Sequence, residues 1–303
     1  MTKSYSPKEF TEYIRKAVPG SDYDPLGIEE LKAMVKRSSA EAGDPLAQAE
    51  LEIQAEIQKA HEDLESFRGY LRDHQLSDDA INQRLGELEI FYDESSQSAV
   101  IARPDRQPFE LYLDGLGLTG ELPLPKQLQI SSLYCHSNQL TALPDLPQSL
   151  TELYCYRNQL TALPDLPDSL TELICVDNLL TALPDLPQSL TELDCGANRL
   201  TALPDLPQSL TVLRCGANRL NALPDLPQSL TELNCYYNQL TTLPDLPQSL
   251  TELRCYENEL TALPDLPQSL THLDCHNNQL TTLPKLPQSL TVLWCGKNQL
   301  TAL

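Results

Sequence analysis

From about residue 130 to the end of the chain, the apolar positions return at one fixed interval. Cysteines stand at 135, 155, 175, 195, 215, 235, 255, 275 and 295, always twenty residues apart. Aligned on them, the chain reads L-x-x-L-x-C-x-x-N-x-L-x-x-L-P-x-L-P-x-S. In one unit the apolar positions are Leu150, Leu153, Cys155, Leu160, Leu163 and Leu166. Leu153-Tyr154-Cys155 alternates with strand period, which puts Leu and Cys on one face. Asn158 follows where the chain must turn, and its amide can both donate to and accept from the backbone of that bend. Pro164 and Pro167 forbid a helix and favour an extended return. One such coil cannot bury its own leucines, but stacked coils form a parallel sheet over a continuous core. The pattern therefore predicts an α+β repeat protein, a solenoid of short strands with an extended, polyproline-like outer side. Nine units at roughly 4.8 Å per strand would span about 43 Å.

The array begins irregularly. Phe109 to Gln129 keeps Leu111, Leu113, Leu116 and Leu118 in phase, but Leu116 stands where the other units have Asn. This predicts a capping first unit, with the solenoid covering 108–303. Its last unit stops midway at Leu303, which predicts a natural chain that continues.

Residues 1–107 carry helical spacing instead. Ser6-Pro7-Lys8-Glu9 is a capping signal, followed by Phe10, Tyr13, Ile14 and Val18, with Gly20 as the stop. Asp24-Pro25 opens a second segment with Ile28, Leu31 and Val35. Asp44-Pro45 opens a long one, about 30 residues by its stripe of Leu46, Ile53, Ile57, Ala60, Leu64, Phe67 and Leu71. Ser77 opens the last, about 16 residues through Ile81, Leu85, Leu88 and Tyr92. The final two are expected to pair as a helical hairpin, with 94–107 as a polar linker.

Composition narrows the function. The 43 acidic residues outnumber the 21 basic ones, for a net charge of −22. Such a field repels nucleic acid and anionic membrane surfaces. No run approaches the roughly 20 apolar residues of a membrane span, and no signal peptide of the usual type is visible. The cysteines therefore read as reduced thiols.

The twenty-residue phrase, with its L-P-x-L-P return and N-x-L turn, resembles the leucine-rich repeats of bacterial effector proteins of the YopM and IpaH type, over 108–303. The resemblance implies a protein made in the bacterial cytoplasm, translocated into a host cell without a classical signal peptide, and bound there to host proteins. It also implies that the helical hairpin caps the first repeat. Some relatives carry a C-terminal ubiquitin-ligase domain with a catalytic cysteine. The alternative to a non-enzymatic binding module is thus the recognition part of a ligase whose catalytic domain lies beyond Leu303.

Chemistry within the chain is sparse. Cys175-Val176-Asp177 matches the ligase Cys-x-Asp by letters, but lies at a repeat's core position, where a thiol is inert. No zinc spacing, phosphate-binding loop or His-based triad occurs, so no catalytic residue, metal or cofactor is expected. The columns that vary are more informative. Before each Cys come Tyr134, Tyr154, Ile174, Asp194, Arg214, Asn234, Arg254, Asp274 and Trp294; after it come Tyr156, Tyr236 and Tyr256 among smaller residues. Alternation turns both columns away from the core, onto the expected concave face. Tyr, Trp and Arg are common interface anchors. The expected contact residues are Tyr134, Tyr154, Tyr156, Arg157, Arg214, Tyr236, Tyr237, Arg254, Tyr256 and Trp294, in two aromatic clusters. Gly196, Ala197, Gly216 and Ala217 lie between the clusters and are expected to leave room for a partner element. Glu152, Glu172, Glu192, Glu232 and Glu252 form a column expected to repel itself and to favour a basic partner surface. The segment 108–303 holds 21 acidic against 8 basic residues.

Overall fold

The computed structural model describes residues 45–93 and 98–301. The helices expected over 7–20 and from Pro25 onward lie outside the described residues. Contacts divide the chain into two compact units, Met1–Glu56 and Ile57–Leu303. Helix α1 runs Pro45–Asp73, close to the length its stripe predicts, and α2 runs Asp78–Leu85. The strands are β1 Glu89–Asp93, β2 Ser98–Ala102, β3 Phe109–Tyr112, β4 Thr119–Glu121, β5 Ile130–Tyr134, β6 Gln139–Ala142, β7 Glu152–Tyr154 and β8 Glu172–Ile174. They continue as β9 Glu192–Asp194, β10 Val212–Arg214, β11 Glu232–Asn234, β12 Glu252–Arg254, β13 His272–Asp274 and β14 Val292–Trp294.

Ten of these strands form one parallel sheet, in the order β14 to β7, then β5 and β3. The register is the twenty-residue repeat itself: Leu213 faces Leu193 on one side and Leu233 on the other. Beneath the sheet, the cysteines from Cys135 to Cys275 and leucines such as Leu190, Leu193 and Leu200 are fully buried, while leucines of the Pro-flanked return such as Leu183, Leu203 and Leu223 are partly covered. At the last unit the burial relaxes, and Leu290, Leu293, Cys295 and Leu300 are only partly covered.

Polar ladders account for the backbone groups of the turns. In each regular unit the Asn amide acts on two coils. Asn218 Nδ2 donates to the Cys215 carbonyl at 3.2 Å and to the Cys195 carbonyl of the preceding coil at 3.0 Å. Its Oδ1 accepts from Leu200 N–H of that same preceding coil at 3.0 Å. The first coil has no preceding coil, so an Asn at position 116 would lack the two backward bonds that Asn218 makes to Cys195 and Leu200. Two further ladders went unread in the sequence. Ser209 Oγ donates to the Gln188 and Leu190 carbonyls, and Thr211 Oγ1 to the Thr191 carbonyl.

A third recurrent feature is conformational. The second residue after each Cys has positive φ, from Ser137 at 56° and Arg157 at 53° to Lys297 at 53°. This left-handed turn leaves each amide bonded to the next coil, as in Arg157 N–H to Val176 O at 2.9 Å. The first coil fills the place with Gly115 at 64°, the residue for which that conformation carries no steric cost.

The N-terminal end corrects the sequence reading. Ser77 caps α2 as expected, its hydroxyl accepting from Ala80 N–H at 3.2 Å. The helix stops at Leu85, half the expected length, because Gly86 at φ 72° ends it with an amide bond back to Asn82. The residues expected to continue it, through Leu88 and Tyr92, turn into β1, and the expected polar linker contains β2. The two strands form an antiparallel hairpin with Ile90 opposite Ile101. Ile101 then bridges to Leu128 of the first coil. In α1, Ala60, Leu64, Phe67 and Leu71 are buried. Tyr70 donates its hydroxyl to the Thr119 carbonyl at 2.8 Å, tying the helix to the first coil.

Candidate protein-binding face

Every residue before a Cys projects from the outer face of the ten-stranded sheet, because its Leu and Cys neighbours fill the inner face. Parallel in-register strands then stack equivalent side chains at the strand spacing. At the N-terminal end this yields a pile of rings. Tyr112, Tyr134 and Tyr154 stack with centroids 4.6 Å apart and planes within 6°. In the neighbouring column His136 stacks on Tyr156 at 4.2 Å. Farther along, Tyr236, Tyr256 and His276 form a second pile at 4.8 and 4.7 Å.

The expected contact residues thus sort into separate places. Tyr134 and Tyr154 come together; Tyr156 belongs to the parallel pile with His136. Tyr236 and Tyr256 come together, while Tyr237 occupies the left-handed position and is 61% exposed. Arg157, in the same left-handed column, is also exposed. Trp294, 60% exposed, lies on the final strand. Tyr112, His136 and His276 were missed as ladder members. Tyr112 could have been found by aligning Leu113 with the Cys column, and the two histidines stand in the column after Cys.

The glutamate column does not simply repel itself. Arg214 bridges two strands: its guanidinium pairs with Glu192 and holds Glu232 at 2.8 Å. Those two carboxylates raise the Arg214 pKa, the Glu232 bond most of all. Arg254 Nη2 lies 2.6 Å from Glu252. At the tyrosine end the carboxylates meet hydroxyls instead. Ser132 donates to Glu152 at 2.9 Å, and Tyr112 donates to Glu110. The Glu110 bond pushes the Tyr112 phenol up to about 12. Burial, then the Glu172 carboxylate, raises Tyr154 as well. Asp194 is raised chiefly by burial. Asp274 is buried and accepts from His276 at Nδ1 (2.7 Å) and at the backbone N–H (3.3 Å).

The small residues between the clusters leave less room than expected. A Cβ at Gly216 would stand 2.3 Å from the Tyr236 ring, so that ring already fills the space beside Gly216. At Gly196 the nearest atom to such a Cβ would be the Gly216 carbonyl oxygen, at 3.2 Å.

The thiols are core groups. Burial pushes Cys135 up to about 12 and raises Cys175 well above the ordinary thiol range. The Cys-x-Asp at Cys175 therefore presents no accessible nucleophile. Among the described residues no cluster of His, Cys, Asp or Glu has the geometry to hold a metal. No described helix is long and apolar enough to cross a membrane.

The Leucine Rich Repeat family matches residues 269–290. No curated protein matches the chain. YopM from Yersinia pestis, described as a leucine-rich effector protein, is 41% identical with a TM-score of 0.57, over 64% of this chain and 62% of that one. YopM from Yersinia enterocolitica is 35% identical with a TM-score of 0.51, over 65% and 51%. The functional domain of InlJ from Listeria monocytogenes, described as including a cysteine ladder, is 32% identical with a TM-score of 0.54, over 64% and 45%. The chain spans 51% and 62% of the lengths of the two YopM structures. With its ten-stranded parallel sheet, its repeating Leu, Cys and Asn columns and these likenesses, the chain has the leucine-rich-repeat fold and is similar to the YopM structures over about two thirds of its length.

Proposed function

We propose that this chain is the protein-binding part of a bacterial effector, and that it docks a host protein on the outer face of its ten-stranded sheet. Residues 108–303 form the docking domain in this reading, and 1–107 the capping region. One observation carries it. The core columns and the Asn column repeat almost unchanged, while the exposed columns of the same strands vary along the array and hold the ring piles of Tyr134, Tyr154 and Tyr156 and of Tyr236 and Tyr256. Likeness to YopM, named as an effector of Yersinia, supports delivery into a host cell.

The chemistry of the partner follows from the face. Glu152 and Glu172 are bonded to hydroxyls and, among the described residues, form no ion pair, so the tyrosine end favours a partner surface bearing Lys or Arg. Association should weaken with salt. The chain does no chemistry of its own in this reading.

The test compares the wild-type chain with Tyr154→Ala/Tyr156→Ala and with Tyr236→Ala/Tyr256→Ala in capture from host-cell lysate, followed by calorimetry on the purified captured protein. Each double variant should lose about 2 kcal/mol or more of binding free energy if these rings are anchors. Unchanged affinity in both, with intact circular dichroism, would remove the sheet face as the site.

A further inference from the structure

The residue after each turn asparagine is mostly glutamine, but two adjacent coils carry Arg199 and Arg219 there. Both are exposed and lie past the turn, outside the strands of the sheet. Their backbones are fixed in register. Arg199 N–H donates to the Leu180 carbonyl and Arg219 N–H to the Leu200 carbonyl, each at 2.9 Å. Equivalent positions of stacked coils stand about 5 Å apart, so two such guanidiniums can reach one common anion. On the sheet, Arg214 and Arg254 are paired to glutamates. Arg199 and Arg219 have no ion-pair or side-chain hydrogen-bond partner among the described residues.

The neighbouring coils limit the size of that anion. One coil before Arg199 stands the exposed Asp177, and two coils beyond Arg219 come Glu257 and Glu259. Between these ends Ala197 and Ala217 occupy the left-handed positions and add no charge. The positive spot is thus two coils long, about 10 Å, with carboxylates at either end. A backbone of many phosphates would run onto those carboxylates and meet the net charge of −22. A single phosphate group would not. Its charge of about −1.5 to −2 matches two guanidiniums, where one carboxylate would leave one of them uncompensated. Its oxygens also accept the paired N–H bonds that the planar Arg fork offers.

We propose that Arg199 and Arg219 form a binding site for one phosphorylated side chain of a protein partner. Both guanidiniums donate to the same phosphate, and the flanking carboxylates exclude longer polyanions. The site lies outside the outer face of the sheet and its probe needs no captured host protein, so the two readings fail separately.

The probe is the peptide acetyl-Gly-Ala-phosphoserine-Ala-Gly-amide, titrated into the full chain and followed by ligand-observed NMR. It should bind at least about ten-fold more tightly than the same peptide with plain serine, and about five-fold more tightly than the peptide with glutamate in that place. Arg199→Ala/Arg219→Ala should weaken it by about ten-fold, whereas Lys285→Gln, at an exposed site of the return segment, should leave it unchanged. Circular dichroism on each variant separates loss of the site from loss of the fold. Absence of phosphopeptide binding, equal binding of the serine peptide, or full binding by the well-folded double variant would overturn the assignment. So would an equal loss in Lys285→Gln, or tighter binding of a short oligothymidylate than of the phosphopeptide.

Discussion

The two halves of the sheet face stand on the same scaffold and present opposite chemistry. From Tyr112 to Tyr154 the exposed column is a pile of rings whose hydroxyl ends meet carboxylates. From Asp194 to Asp274 the same column is Asp, Arg, Asn, Arg and Asp, with Arg214 and Arg254 paired to neighbouring glutamates. Beneath both run the same leucines, thiols and asparagines. In this array the fold is carried by columns that face inward or into the turn, and the outer column is free to be aromatic in one place and charged in another. Binding specificity can then change unit by unit without touching the core.

If one scaffold carries both halves, alkali should dissolve them together. Thiols buried and neutral in the folded chain ionise near their ordinary pKa of 9.0 once unfolded, and the folded values lie higher, about 12 for Cys135 and Cys275. Their stabilisation is thus fully present below pH 9 and is lost as pH rises from there toward the folded values. Eight such thiols, each at up to about 1.4 kcal/mol per pH unit, give a loss on the order of 10 kcal/mol by about pH 10. Far-UV circular dichroism and Trp294 fluorescence should report one coincident transition between about pH 9 and 11. A native spectrum retained at pH 11, or two separated transitions, would break the shared-scaffold account.

A smaller effect should also be equal on both sides. Asn158→Ala under the tyrosines and Asn218→Ala under the charges each orphan one buried N–H and leave two carbonyls without that donor. Each should cost about 3 kcal/mol in urea unfolding. A twofold disparity would mean that the outer columns share the load.

The next pair should separate the halves. Tyr134→Ala removes the middle ring of its pile and should cost about 1.5 kcal/mol, independent of salt. Arg214→Ala leaves Glu192 and Glu232 uncompensated, but the group is a third exposed, so the cost should stay under about 1 kcal/mol and shrink in 1 M salt. Identical salt dependence for the two would erase the distinction.

The smallest effect lies outside both ladders. Tyr237→Gly relieves a non-glycine residue at φ 52°, partly offset by a freer unfolded chain, and should stabilise the chain by about 0.5 kcal/mol, read as a higher urea midpoint.

Most of this architecture was legible because the repeat is its own register: a strict twenty-residue return of Leu, Cys and Asn leaves one way to stack the coils. The β1–β2 hairpin was hidden by helical spacing that runs through Leu85 and Leu88, although Gly86 and the β-favouring run Ile90-Phe91-Tyr92 mark the change. The left-handed column was masked by its occupants, among them Arg157, Tyr237 and Glu257, none of which advertises positive φ. Gly115 in the first coil, with Asp177 and Asn277, hints at it. The pairing of Arg214 with Glu192 and Glu232 is invisible along the chain because the partners sit 22 and 18 residues away. It appears only once the strands are laid side by side.

The asparagine ladder also has a direction. Each Asn completes the turn of the coil before it, as Asn218 does for Leu200 and the Cys195 carbonyl. A nascent chain leaving the ribosome therefore cannot close any coil until the next one has emerged. Its growing end always trails one turn that lacks the bonds of the next coil's Asn.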